Sequence, residues 1–141
     1  MIVALLTGSG VFTVALGLVH IVIPLIVDFD HAIPTATAAR SPLRTISIGP
    51  IRYEVRRSDV RGIAWVMSNA ASYVLITLGI ADLLAATWLS TDHGRVLAVW
   101  AAGWWAIRAG GQFVLGRRWG DFAIAAWFAC LAGVHLVAAT V

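Results

Sequence analysis

The chain has 141 residues, 60% of them hydrophobic and only 12% charged, with a mean hydropathy of +0.88. A soluble domain of this length is about a quarter charged, so the composition excludes an ordinary water-soluble globule. All ten basic residues are arginine, the net charge is +3, and no basic stripe on a soluble fold is available to hold nucleic acid. Cys130 is the only cysteine, which excludes an intrachain disulfide and a Cys-rich zinc site; in its apolar setting it reads as a packing residue.

Four apolar runs follow one another, at 2–27, 62–89, 96–116 and 122–141. Each reaches the roughly 20 residues needed to cross a hydrocarbon core of about 30 Å. In lipid the backbone must satisfy its own hydrogen bonds, so each run predicts a helix. The sequence predicts an all-α integral membrane protein, a single domain over 1–141 made of a four-helix bundle. The first run is too long for the apolar stretch of a cleaved leader, and no basic stretch precedes it; Ala36, Thr37 and Ala38 imitate a cleavage site but lie well downstream. The first run is therefore expected to be a retained helix.

The connection 28–61 is long and polar and carries Arg40, Arg44, Arg52, Arg56, Arg57 and Arg61. Arg117 and Arg118 lie in the third connection, whereas Arg95 is alone in the second. By the positive-inside rule the first and third connections face the cytoplasm and both termini lie outside, in a cell's inner membrane. Trp65, Trp88 and Trp119 fall near helix ends, as interfacial anchors do. Within the long loop, residues 45–56 alternate about Gly49 and Pro50, the pattern of a short β-hairpin. Its plainer role is a cap on the membrane surface; its sharper one is a lid.

Intramembrane polar residues are costly and usually face a bundle interior, so their depths are informative. At about 1.5 Å of rise per residue, His20 lies roughly 10 Å from the cytoplasmic end of the first helix, and Asn69 lies at a similar depth on the second. On the third helix Arg108 and Gln112 fall at roughly 13 and 7 Å by the same rise. Trp104, Arg108 and Gln112 are four apart and form one stripe, on which an indole can stack against the guanidinium. Gly10, Thr13, Gly17, His20 and Pro24 form a small-and-polar stripe on the first helix, suited to close packing. Pro24 has no amide hydrogen, so the His20 carbonyl loses its helical partner; a neighbouring Ser, Thr or water is its plainest replacement.

A second group lies in the other half. Asp82 and His135 are each roughly 8 Å from the outer end of their helices by the same rise. Asp121, Ala125, Phe128, Ala132, His135 and Ala139 share one face of the fourth helix. A buried Asp–His pair is a candidate proton acceptor. A haem between His20 and His135 is disfavoured because their depths differ by more than about 10 Å. Asp28, Asp30 and His31 offer metal-ligand atoms, but in a loop run with no second cluster, and no metal is expected. No Ser-His-Asp motif, phosphate-binding glycine loop or Cys pair is present; Gly110 and Gly111 read as a close-packing point.

The third helix, with its aromatic pair Trp104-Trp105, Arg108 and Gln112, resembles small uncharacterised bacterial membrane proteins of four helices; His20 followed by Pro24 fits the same pattern. That resemblance implies the four-helix fold and no assigned activity. It also leads one to expect a histidine where this chain has Asn69.

The expectation for function is a pocket open toward the cytoplasmic leaflet, taking a lipid-like or isoprenoid molecule from the surrounding membrane lipid. His20 and Arg108 are the candidate reacting residues, with Asp82 and His135 as further ones. Asn69 and Gln112 orient the ligand, and Trp100, Trp104 and Trp105 form the aromatic wall of a mainly apolar pocket. No cofactor is identifiable. Two other classes compete: an accessory or assembly subunit whose polar residues lock its helices together and whose first-helix stripe binds a helix of a partner membrane subunit, and a small proton-coupled exporter working as a dimer, a homo-oligomer with Asp82 as its only candidate carboxylate.

Overall fold

A computed structural model of the protein describes residues 1–32, 44–115 and 118–141. Arg40, Arg117 and the Ala36–Ala38 segment lie outside the described residues. The elements are α1 (Ile2–Ile26), α2 (Phe29–Ala32), β1 (Arg44–Ile48), β2 (Ile51–Val55), α3 (Arg57–Leu83), α4 (Ala85–Trp88), α5 (Asp92–Leu115) and α6 (Trp119–Ala138). Among the described residues, three segments are long and apolar enough to cross a membrane: Ile2–Ile26, Ser58–Leu83 and Trp119–Ala138. Helix α5 has 24 residues, a length of about 36 Å at the helical rise, but its tryptophans, glycines, Arg108 and Gln112 keep it out of that set.

The helix ends have local causes. Asp28 takes a left-handed backbone conformation (φ 51°) that stops α1, and its Oδ1 accepts the His31 amide to open α2. The Arg56 amide donates to Asp59 Oδ2, half of a capping box, and α3 starts five residues before its apolar run. The far end of α3 breaks at Leu84, inside the apolar stretch, and α4 follows as a separate turn. There the Trp88 indole donates to the Ala81 carbonyl at 2.7 Å, one of the last four carbonyls of α3. Thr91 caps α5 by accepting the Gly94 amide at 2.9 Å. At the start of α6, Asp121 Oδ2 accepts from both the amide and the Nε of Arg118.

The hairpin is present, with β1 antiparallel to β2 and Arg44 opposite Val55, Ile46 opposite Tyr53 and Ile48 opposite Ile51. Gly49 sits at φ +59° and Pro50 follows with its ring-fixed negative φ. This is the glycine-first arrangement that matches strand twist in a two-residue loop.

The chain divides into two compact units. One comprises Met1–Val14 with Thr77–Val141, the other Ala15–Ile76. In the first, α5 packs along α6, and Leu6, Ala85, Leu89, Ala98 and Ala138 form a buried cluster flanked by Ile2, Trp88 and Val134. The backbones of α1 and α3 touch within this unit: a Cβ on Gly10 would lie 2.7 Å from the Gly79 carbonyl, and one on Gly79 would lie 2.8 Å from the Gly10 carbonyl. Only glycine on both sides permits that approach. In the second unit a Cβ on Gly17 would meet Ile76 Cγ1 at 2.7 Å, so α1 and α3 pack closely there as well.

Candidate functional site

The glycine contact in the first unit sets the neighbouring side chains against one another. Ser9, one residue before Gly10, donates its hydroxyl to Asp82 Oδ2 at 2.8 Å. Asp82 Oδ1 lies 3.0 Å from His135 Nε2, and His135 Nδ1 lies 2.8 Å from the Leu131 carbonyl one turn back on α6. Thr13 donates to the Ser9 carbonyl at 2.7 Å. Ser9 is 6% exposed, Asp82 1%, and Thr13 and His135 not at all. Three helices thus converge on one buried carboxylate, and both of its oxygens are engaged.

These bonds fix the proton inventory. The Leu131 carbonyl only accepts, so Nδ1 carries a hydrogen. Nε2 and Oδ1 face each other at hydrogen-bond distance, so one proton lies between them, either on imidazolium or on carboxylic acid. In both arrangements the pair is neutral overall, which is how a buried carboxylate is tolerated in an apolar setting. Oδ2 is an acceptor in both, so the Ser9 proton is committed to it. This arrangement is not a serine nucleophile with its base: the histidine is on the far side of the aspartate, and the interior of α1 has no free amide to hold an oxyanion.

Ser9 also lines a cavity of about 460 Å³ between the start of α1 and the middle of α6. Its walls are Leu5, Gly8 and Phe12 on one side and Trp127, Cys130 and Leu131 on the other. Phe12 and Trp127 meet edge to face, with centroids 5.3 Å apart and planes at 67°. The size falls within the range of about 300–1,000 Å³ usual for small-molecule pockets.

The other residues singled out in the sequence are distributed over both units. Arg108, Gln112, Trp100, Trp104 and Trp105 belong to the first. Trp105 and Gln112 are buried, Trp104 and Arg108 are half-buried on the flank, and Trp100 is exposed. The Arg108 guanidinium carbon lies 5.7 Å above the Phe128 ring, and Trp105 packs on that same ring at 5.2 Å. The buried indole N–H groups of Trp104 and Trp105 have no hydrogen-bond partner among the described residues. His20 and Asn69 belong to the second unit; His20 is half-buried, and Asn69 is exposed on the surface of α3. The His20 carbonyl, released by the buried Pro24, receives the Ser68 hydroxyl at 3.4 Å, a long contact. Ser68, rather than its neighbour Asn69, is the buried polar residue at that level. Asp28 and His31 close on each other, with Nδ1 2.6 Å from Oδ2, in an exposed position.

Ser9 and Ser68 are the residues that sequence reasoning missed. A serine in an apolar helix reads as a small packing residue, and which serine faces a carboxylate or a freed carbonyl depends on the neighbouring helix. The Pro24 defect was the one sequence feature that pointed toward Ser68. Compared with known proteins, the sequence matches no family, no curated protein and no solved structure.

Proposed function

We propose that the protein is a multi-pass membrane protein that binds a lipid-like molecule in the cavity between α1 and α6, with Ser9, Asp82 and His135 as its polar anchor. The observation that carries this reading is the double role of Ser9: it lines an otherwise almost wholly apolar cavity and is itself held by a buried carboxylate. An apolar pocket with few, well-fixed polar groups is the usual design of a small-molecule site. In this reading α5 is a fourth span, long enough to cross a bilayer despite Arg108 and Gln112. The connections rich in arginine lie in the cytoplasm and both termini lie outside. Arg108, Trp104 and Trp105 form a second polar station of hydrogen-bond donors, suited to an anionic or carbonyl headgroup.

The experiment is native mass spectrometry of the protein purified in mild detergent, compared with Gly8→Leu. Gly8 lines the cavity and a Cβ there meets nothing within 4 Å, so the larger side chain leaves the backbone without a clash and grows into the cavity. A co-purifying lipid-like adduct in the wild type that is lost in Gly8→Leu supports the reading; equal adducts in both proteins overturn it.

A second reading, a proton-coupled carrier, is favoured by the buried contact between Asp82 and His135, a pair able to share a proton. It requires that proton to exchange during turnover. Asp82→Asn in liposomes should then abolish proton flux coupled to substrate movement, whereas a binding protein shows no such flux in either form.

A further inference from the structure

We infer that the cavity selects its ligand by a hydrogen-bond donor at the polar end: a lipid bearing a free hydroxyl, such as a long-chain or isoprenoid alcohol, rather than an ether, a ketone or a carboxylate. The inference rests on the lipid-binding reading above and names the ligand class for that site. The Ser9 hydroxyl has one proton and two lone pairs. Its proton is committed to Asp82 Oδ2, because that oxygen accepts whichever atom holds the proton shared by Oδ1 and His135 Nε2. Toward the cavity Ser9 therefore has acceptor capacity only. Of the other lining residues, Cys130 contributes a weak thiol donor and Trp127 an indole, and the rest are apolar. A ligand hydroxyl can donate to Ser9 and continue the chain that runs through Asp82 to His135 and the Leu131 carbonyl. A methyl ether or a carboxylate at the same point sets lone pair against lone pair and leaves a buried acceptor unmatched.

Cys130 supplies the readout, because it lines the cavity, is exposed and is the only thiol in the chain. The protein in phosphatidylcholine nanodiscs is alkylated with N-ethylmaleimide while 1-hexadecanol or hexadecyl methyl ether is titrated in at matched mole fractions. Hexadecanol is expected to protect Cys130 at a mole fraction about tenfold lower than the ether, the equivalent of one net hydrogen bond. Ser9→Ala should remove this preference, so that both probes protect at the ether's level, and Ser9→Thr, which keeps the hydroxyl, should restore it. The wild-type comparison of alcohol with ether decides the matter even where Ser9→Ala fails to fold. Equal protection by the two probes overturns the hydroxyl inference and leaves the lipid cavity standing. If neither probe protects Cys130, if Gly8→Leu is protected as well as wild type, or if Cys130 does not react without additive, the lipid-binding reading fails and the inference with it.

Discussion

Nε2 of His135 lies 3.0 Å from Oδ1 of Asp82, and both side chains are closed off from the surroundings, so the carboxyl group of α3 is held by α6 on one oxygen and by Ser9 of α1 on the other. These bonds have a thermodynamic consequence. Asp82→Asn keeps them: the amide oxygen accepts from Ser9 and the amide nitrogen donates to a neutral imidazole. Asp82→Leu removes both and leaves the Ser9 hydroxyl and the His135 ring buried without that partner. We predict that Asp82→Leu is destabilised by about 1–3 kcal/mol for each group so stranded, while Asp82→Asn melts close to the wild type. Thermal melts of the three proteins in the same detergent measure the difference, and equal melting temperatures would refute a structural role for these bonds.

The approach of α1 to α3 at Gly10 and Gly79 positions Ser9 against Asp82, so the site should be sensitive to one methyl group. A Cβ on Gly10 would meet backbone, the Gly79 carbonyl and the Leu83 nitrogen, which cannot move aside as a side chain would. Gly10→Ala is predicted to destabilise by about 1–3 kcal/mol and to lengthen the Ser9–Asp82 hydrogen bond. Gly8→Ala, two residues away with open space at its Cβ, should be neutral or slightly stabilising through better helix propensity. Melting temperatures of the two variants check the contrast; equal losses would mean that the close approach is not what holds the helices.

What was legible in the sequence was whatever depends on one helix at a time. Helix α1 follows its apolar run to within a residue, and the rise per residue along α3 and α6 is what sets Asp82 and His135 at one level. The end of α3 was hidden because no glycine or proline marks Leu84; the break is sealed by the Trp88 indole on the Ala81 carbonyl, a bond between side chain and backbone that periodicity does not encode. The start of α3 was hidden for the opposite reason: a helix capped by Asp59 can run on into charged residues, so apolarity understates its length. Asn69 illustrates the limit of depth reasoning. Residues at one level can still point in different directions, and Asn69 faces outward on α3 while Ser68 faces the His20 carbonyl.

Orientation in the membrane is tested on the hairpin. Ser47 lies in β1 in the connection that carries six arginines, which the positive-inside rule assigns to the cytoplasm. In a Cys130→Ala background, Ser47→Cys should resist an impermeant maleimide on intact cells and react once the membrane is opened. Labelling of intact cells at the rate of a known external control would invert the topology and put both termini inside.

The last prediction separates a binding role for Arg108 from a structural one. A charged residue at the centre of a membrane helix is unfavourable by about 2.5 kcal/mol or more on insertion scales, and an apolar residue of similar volume is often neutral or stabilising in its place. If α5 is the fourth span proposed above, part of that penalty is offset by the Phe128 ring beneath the guanidinium, a contact worth about 0.5–2 kcal/mol. If Arg108 binds a headgroup together with the indole donors of Trp104 and Trp105, Arg108→Leu should melt at or above the wild-type temperature yet lose co-purified anionic or carbonyl lipid. Arg108→Lys should fail as well, because a compact ammonium cannot reproduce the planar fork or lie flat on Phe128. If Arg108 is structural, the order reverses: Arg108→Leu abandons the Phe128 contact, lowers the melting temperature and leaves the lipid complement unchanged. Measuring the melting temperature and the bound lipid by mass spectrometry on the same preparations distinguishes the two. A destabilised Arg108→Leu that keeps its full complement of lipid would end the case for Arg108 as a headgroup ligand, and would leave the cavity at Ser9 as the one proposed site still to be tested.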